Sequence, residues 1–159
     1  MEIVNRQASH NYFIFDTYEA GIVLTGTEIK SILNGKCNIK DSYAIIKSNE
    51  VFLLNAHISS YEGGNIFNHE ETRTRKLLLH KKEILKLNDK ITLEGYTLIP
   101  LKIYFKGSKA KVLIGVCKGK KNYDKKETLK EKDIEREMAK STKYRWNSSN
   151  LVLFLLNIR

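Results

Sequence analysis

The alternation of apolar and polar positions predicts a chain built mainly from short β-strands. Aromatic and β-branched residues recur with strand-like spacing over much of the first 116 residues. The predicted strands are 12–18, 22–24, 41–47, 51–56, 96–105 and 110–116. Polar residues and glycines separate them, with turns at 19–21, 48–50 and 106–109. Pro100 has no backbone N–H to donate, so it marks an edge or a bulge in its strand.

A short helix is predicted at 28–33. Thr27 can cap its first turn, and Asn34-Gly35 stops it. The apolar positions of this helix fit an inward face, and the polar ones are expected nearer the outside. The inward residues are Ile29, Ile32 and Leu33, and the outward ones are Glu28, Lys30 and Ser31.

A second short helix is predicted at 80–87, ended by Asn88-Asp89. Six or so antiparallel strands in up-and-down order, with two short helices inserted, predict a mainly β fold. Such strands close into a small OB-like barrel, because closure leaves no exposed sheet edge.

The segment 118–145 differs from everything before it, because it has almost nothing to bury. It contains eleven Lys or Arg and six Asp or Glu residues, a net of +5 out of the chain's +10. Thr128 and Glu131 have the spacing of a helix capping box, but the few apolar residues do not form one stripe. We expect a flexible basic tail that becomes helical along a polyanion. A solvated helix docked on its own domain is the alternative.

Length and composition suit one domain with an appendage: the chain has 159 residues, of which 42% are hydrophobic. We predict a barrel over 1–118, a basic C-terminal tail over 119–145 and an atypical apolar terminus over 146–159. The apolar run at 151–156 is far shorter than the roughly 20 residues that span a bilayer. It is expected to dock on the barrel, to bind a partner, or to be poorly ordered.

The formal charge of +10 and the pI near 9.5 indicate a polyanionic partner, either nucleic acid or an anionic membrane surface. Lysines and arginines spread through a folded chain favour nucleic acid. Cys37 and Cys117 lie far apart without a CxxC partner, and no cleavable leader is apparent. Reduced thiols and a cytoplasmic location are therefore expected.

No catalytic motif is apparent in the sequence: it has no nucleophile elbow, Walker loop, HExxH or paired Cys/His arrangement. The four histidines lack metal-ligand spacing. We expect binding without turnover, with no metal and no cofactor. An RNA-processing enzyme is the alternative.

Two stretches are candidate RNA contacts on their chemistry alone. Glu28 can accept hydrogen bonds from base or ribose donors, with Lys30 and Lys36 beside it for phosphates. Thr72 to Lys76 place three cations and two hydroxyls before an apolar run, and such donors suit adjacent phosphate oxygens. The alternatives are a solvated glutamate and an ordinary basic loop.

Four ordered blocks carry a resemblance that covers about residues 3–140. They are the arm 5–12, the helix and turn at 28–43, the block TRTRKLLL at 72–79, and GVCKGKK followed by YDKK at 115–126. The strand 94–105 agrees with them. Together they resemble the SsrA-binding protein (SmpB) family.

The resemblance implies an OB-type barrel that binds the tRNA-like domain of transfer-messenger RNA, and no enzyme. It delivers that RNA, with elongation factor Tu held indirectly through the RNA, to ribosomes stalled for lack of a stop codon. A monomer is expected when the protein is free. By matching position the RNA-binding residues are Asn5, Arg6, Glu28, Lys30, Lys36, Asn38, Arg73, Arg75, Lys76 and Lys118.

The family's tail becomes helical in the empty mRNA channel and occupies the decoding centre of the small ribosomal subunit. The matching tail residues here are Gly119, Lys120, Lys121, Tyr123, Asp124, Lys125 and Lys126, and the cationic side adds Lys132 and Arg136. Two features depart from the family pattern. Lys126 stands where arginine is common, and the apolar terminus has no counterpart in a basic tail. A barrel-type ribosomal or general structured-RNA-binding protein remains the alternative function.

Overall fold

The computed structural model describes residues 1–120 and residue 136, with Asn65 described by its backbone only. Within 1–120 the strands are β1 (Glu2–Val4), β2 (Tyr12–Ile22), β3 (Cys37–Asn38), β4 (Tyr43–Lys47), β5 (Glu50–Leu54), β6 (His57–Ile58), β7 (Arg75–Leu78), β8 (Thr97–Lys106) and β9 (Lys109–Gly119). The helices are α1 (Ala8–Asn11), α2 (Gly26–Leu33) and α3 (Lys81–Glu94), with a 3₁₀ helix at Glu62–Phe67.

Six strands form a ring in the order β8, β4, β5, β7, β2, β9 and back to β8, with every pairing antiparallel. This confirms the predicted mainly β, OB-like closed barrel with short helices. β1 adds to one edge of β8, and β3 pairs with β6 in a separate ribbon. The shortest pairing of the ring joins β4 to β8, through the single residue pair Ala44 and Leu98.

The predicted up-and-down order is wrong. β4 with β5 and β8 with β9 are hairpins, but β2 pairs with β7 on one side and β9 on the other. The register joins Tyr12 to Gly119, and Gly21 to Leu78. Periodicity shows that a segment is a strand; it carries no information about which distant strand completes its hydrogen bonds.

The predicted turn at 19–21 is also wrong, because β2 is one continuous strand of eleven residues. A register shift between Ile14 and Asp16 bends it, as β-bulges do. Gly21 brings the strand close to its neighbour: a Cβ added there would lie 3.2 Å from the Cβ of Leu78. Glycine therefore serves close packing in a strand here, where sequence analysis predicted a turn.

Local signals were reliable where turns are short. Ser48 and Asn49 join β4 to β5 with φ of 53° and 60°, the backbone that a two-residue hairpin requires. Gly107 has φ of 64° in the turn between β8 and β9. A register shift between Pro100 and Lys102 shows a bulge, one of the two alternatives predicted for Pro100.

Helix α3 is longer than predicted, since it continues past Asn88 to Glu94. Ile84 and Leu87 are buried against the barrel core, and Ile91 extends the same face by another turn. Gly95 ends the helix in a left-handed conformation with φ of 72°. Packing of this third apolar turn outweighs the weak helix propensity of Asn88 and Asp89.

The barrel interior is filled by alternating residues of the ring strands. Leu53, Ile103, Val112 and Ile114 are fully buried, and they belong to one core cluster. Interiors of this kind are close-packed, so a missing side chain leaves a void that neighbours fill only in part.

We expect Leu53→Ala to lower the free energy of unfolding by about 2–5 kcal/mol, because it opens a cavity in the core. Urea unfolding followed by circular dichroism measures this. Leu93→Ala is the matched control, since Leu93 is 80% exposed; its effect should stay within about 0.5 kcal/mol. Equal effects of the two substitutions would contradict the assignment of Leu53 to the core.

Candidate nucleic-acid interface

Helix α2 begins with a capping box formed by Thr25 and Glu28. The Thr25 hydroxyl accepts a hydrogen bond from the Glu28 backbone N–H at 3.4 Å, and the Thr25 N–H donates to Glu28 Oε1 at 2.9 Å. The N-cap is therefore Thr25, and the prediction of Thr27 is wrong. The Thr-x-x-Glu spacing at 25–28 could have identified this N-cap from the sequence. In a capping box of this spacing, two backbone N–H groups that lack helical partners are both hydrogen-bonded.

The Glu28 carboxylate is completely buried and binds two arginines. Arg73 Nη2 donates to Oε1 at 2.5 Å, and Arg75 Nε donates to Oε2. These arginines come from the segment that leads into β7 and from its first residue. We call Glu28, Arg73 and Arg75 the buried ion cluster.

Arg75 extends the cluster to the loops around it. It is fully buried, and its Nη1 donates to the Ala56 carbonyl at 2.6 Å. Its Nη2 donates to the Glu71 carbonyl at 3.1 Å and to the Glu70 carbonyl at 3.4 Å. One guanidinium thus ties α2, β7 and two loops together in a fixed geometry.

Burial alone would raise the pKa of the Glu28 carboxyl, but the Thr25 N–H and the two arginines lower it by more. The result is a pKa below the ordinary value of 4.5. A buried carboxylate stays ionised only with such partners, because isolated charges are costly in a dry interior. Glu28 is therefore a charged structural group at neutral pH.

Two predicted RNA contacts need correction for this reason. Glu28 and Arg75 have no exposed surface, so in this structure neither can touch an RNA. The predicted outward face of α2 was also wrong in part: Glu28 and Ser31 are buried, whereas Leu33 is 51% exposed. Lys30 is exposed as predicted.

The arm residue Asn5 is likewise buried, at 7% exposure. Its Nδ2 donates to the Pro100 carbonyl at 3.0 Å and to the Ile39 carbonyl at 3.3 Å. Its backbone N–H donates to the Leu101 carbonyl at 2.8 Å. Asn5 therefore fixes the arm to β8 and to the turn after β3, which leaves its neighbour Arg6 exposed.

Several predicted contact residues surround the buried ion cluster on accessible surface. Lys30 Nζ lies 5.2 Å from the centroid of the Tyr61 ring, and Lys36 Nζ lies 3.7 Å from Glu62. The Arg73 side chain is 34% exposed. The cluster thus places exposed cations of α2 and of the turn after it beside the loop that follows β6.

Asn38 and Lys76 lie farther along the sheets. Asn38 is exposed in β3, and its Oδ1 accepts from the Lys40 N–H at 2.9 Å. Lys76 is exposed on β7, where its Nζ lies 3.1 Å from Glu50 of β5. The exposed pair with Glu50 is weak and leaves the ammonium accessible to a phosphate.

A second group joins lysines and aromatic rings where β9 ends. Lys118 Nζ lies 4.5 Å from the centroid of the Tyr96 ring, and Lys120 Nζ lies 5.3 Å from that of Phe13. Phe15 meets Tyr96 edge to face at 5.3 Å. Sequence analysis selected the lysines and missed the rings, whose positions depend on the pairing of β2 with β9.

The predicted tail is described in part. Gly119 is the last residue of β9, Lys120 follows it, and Arg136 is exposed in a helical conformation. The other predicted tail residues lie outside the described residues: Lys121, Tyr123, Asp124, Lys125, Lys126 and Lys132. The apolar terminus 146–159 lies outside them as well.

The part of the chain that the structure describes offers neither a metal-binding cluster nor an ionised thiol. It holds no group of three or more His, Cys, Asp or Glu side chains placed to bind a metal ion. Burial raises the pKa of the Cys37 and Cys117 thiols to about 11, so neither is a thiolate at neutral pH. No helix of the described residues has the length and apolarity needed to cross a bilayer.

A closed antiparallel barrel with exposed lysines and aromatic rings defines the class of small nucleic-acid-binding barrels. The chain belongs to the SmpB family, since the family model described as "SmpB protein" matches residues 2–144.

Individual proteins of known family are similar to this chain over most of its length. The chain is 62% identical to the SsrA-binding protein of Shouchella clausii over 141 residues, which cover 89% of this chain and 90% of that protein. It is 59% identical to the SsrA-binding protein of Enterococcus faecalis over 139 residues, covering 87% and 90%. A solved chain described as "tmRNA-SmpB: a journey to the center of the bacterial ribosome" is similar with a TM-score of 0.64 and 48% identity, covering 75% of this chain and 84% of that one.

We expect Glu28→Gln to lower the free energy of unfolding by about 3–5 kcal/mol, because it leaves two arginines without their buried counter-charge. Denaturant unfolding at neutral pH measures this. Glu62→Gln is the matched control: its carboxylate is 91% exposed and 3.7 Å from Lys36, so its effect should stay within about 0.5 kcal/mol.

The difference in stability between the wild type and Glu28→Gln should depend on pH. Because the folded-state pKa of Glu28 lies below 4.5, its charge stabilises the protein above that pH, and the stabilisation is lost as the pH falls through the folded-state pKa. The difference in the free energy of unfolding between the wild type and Glu28→Gln should therefore become smaller in acid. A difference that is small at neutral pH, or that becomes larger in acid, would contradict the structural role of the buried ion cluster.

Proposed function

We propose that this protein binds transfer-messenger RNA, the SsrA RNA, at its tRNA-like domain and delivers it to stalled ribosomes for trans-translation. The observation that carries the proposal is the 62% identity to an SsrA-binding protein over nearly the whole length of both chains. The similarity to a chain described with tmRNA and the bacterial ribosome supports the two partners.

In this proposal the barrel holds the RNA through the exposed side chains around the buried ion cluster. Arg6, Lys30, Lys36 and the exposed part of Arg73 meet phosphates, and Asn38 offers an amide to a base or ribose. Lys76 and Lys118 extend the contact along β7 and β9. Asn5, Glu28 and Arg75 position these groups from the interior.

The tail acts on the ribosome in the same proposal. Residues 1–118 form the RNA-binding barrel, 119–145 the basic tail and 146–159 an apolar terminus outside the family match. The tail occupies the decoding centre and the empty mRNA channel through Gly119, Lys120, Lys121, Tyr123, Asp124, Lys125, Lys126, Lys132 and Arg136. Elongation factor Tu takes part through the RNA and makes no direct contact with the barrel.

The activity is binding without turnover, with no cofactor, by a monomer in the cytoplasm. Two observations support binding without turnover. The thiols of half-buried Cys37 and buried Cys117 have raised pKa values of about 11, and the only buried carboxylate of the described residues, Glu28, is engaged by Thr25 and two arginines. Such a carboxylate cannot serve as a general base while those bonds persist.

The first test is the salt dependence of RNA affinity. The slope of log K against log salt should become shallower by roughly 0.7–0.9 for each lysine removed in Lys30→Ala and Lys36→Ala, because each neutralised phosphate contributes that much. Fluorescence titration against the isolated tRNA-like domain at several salt concentrations measures this. Lys86→Ala is the control, since Lys86 is exposed on α3, where no RNA contact is proposed. A slope unchanged by the first two substitutions would remove these lysines from the interface.

The second test separates the barrel from the tail. A chain ending at Lys120 keeps all of β9 and should retain its affinity for the tRNA-like domain while losing peptide tagging on stalled ribosomes. Both activities are measured against the full chain, with ordinary transfer RNA as competitor. Loss of RNA binding on truncation would favour a general structured-RNA-binding protein instead, and tagging that survives truncation would overturn the role proposed for the tail.

A further inference from the structure

The loop between β6 and β7 exposes two adjacent apolar side chains. Ile66 is 89% exposed and Phe67 is 84% exposed, at the end of the 3₁₀ helix. A phenylalanine and an isoleucine held side by side in water are unfavourable unless a partner covers them.

The backbone that carries these side chains is fixed at both ends. Asn68 Oδ1 accepts from the Tyr61 N–H at 3.1 Å, and Asn68 Nδ2 donates to the Tyr61 carbonyl at 2.6 Å. His69 follows, with Nδ1 2.9 Å from the Thr27 hydroxyl and Nε2 2.8 Å from the Ile58 carbonyl. One amide closes the loop and one imidazole fastens it to α2 and β6.

The loop also packs closely on α2. A Cβ added to Gly64 would lie 3.0 Å from side-chain atoms of both Asn68 and Thr27, so only glycine fits without a shift. A loop closed and packed in this way presents Ile66 and Phe67 in a preorganised position, which lowers the entropy lost when a partner binds.

The charges beside the loop identify the partner. Its first residues, Tyr61 and Glu62, are the ones that Lys30 and Lys36 contact. A nucleotide combines a flat apolar base with an anionic phosphate, which matches a loop that exposes a ring and is contacted by two lysines. An apolar protein surface would match the ring alone and leave the lysines facing it.

We propose that Phe67 stacks on an unpaired base of the RNA bound at the α2 surface, with Ile66 covering the edge of that base, while Lys30 and Lys36 meet the adjoining phosphates. This inference rests on the proposed function and adds a base-stacking site to it. It needs no change in the barrel, because neither side chain supports the core.

The test compares Phe67→Ala, Phe67→Leu and Phe67→Trp in the full chain, titrated with the tRNA-like domain of transfer-messenger RNA. A lost stack should weaken binding about tenfold in the alanine and leucine variants. The tryptophan variant should bind like the wild type or tighter, because it keeps a larger π-face. The salt slope should be unchanged in all three, since no phosphate contact is removed. Leu93→Ala, an 80% exposed residue of α3, is the control and should bind like the wild type.

The outcomes are distinguishable. Wild-type affinity in Phe67→Ala overturns the stacking site and leaves RNA binding by the barrel intact. Weakening in alanine but not in leucine means a nonspecific apolar contact, which also overturns it. A wild-type dimer in sedimentation that Phe67→Ala dissociates identifies a second copy as the occupant and excludes the base. Failure of the wild type to bind the RNA at all refutes the proposed function, and the stack with it.

Discussion

The interface depends on one carboxylate, Glu28, that remains charged inside the protein. It caps the first turn of α2 through Thr25 and neutralises Arg73, which precedes β7, and Arg75, the first residue of β7. Because a buried charge without partners costs several kcal/mol, these groups are stable only together. The position of α2 on the barrel, the path of the segment before β7 and the loops that Arg75 binds are therefore fixed by a single cluster.

This rigidity explains how a surface of flexible lysines can bind a structured RNA. A lysine side chain is a mobile point charge and gives little geometric selectivity by itself. Here Lys30 and Lys36 extend from a helix and a turn anchored by the cluster, and Asn5 fixes the arm that bears Arg6. The interior residues supply the geometry and the exterior residues supply the charge. In the proposed function both kinds of residue contribute to RNA binding, for different physical reasons.

The aromatic rings occupy two places with different relations to the lysines. At the end of β9, Tyr96 and Phe13 lie under Lys118 and Lys120, where the rings stabilise the cations by about 0.5–1 kcal/mol each at an exposed site. On the loop before β7, Phe67 is exposed, and Lys30 and Lys36 contact the first residues of the same loop. The barrel thus combines electrostatic attraction, which is independent of sequence, with π-faces that can meet unstacked bases.

The sequence by itself determined the mainly β class, the β4–β5 and β8–β9 hairpins, an edge or a bulge at Pro100 and the excess of cations. These follow from local backbone preferences and from composition, which need no knowledge of distant residues. Only the tertiary structure decided that β2 is one strand between β7 and β9, that α3 continues to Glu94, and that Glu28 and Arg75 are interior. Each of these depends on partners far along the chain: Glu28 and Arg75 are 47 residues apart. Charged residue types are usually exposed, so their burial becomes visible only when the fold brings the compensating charges together.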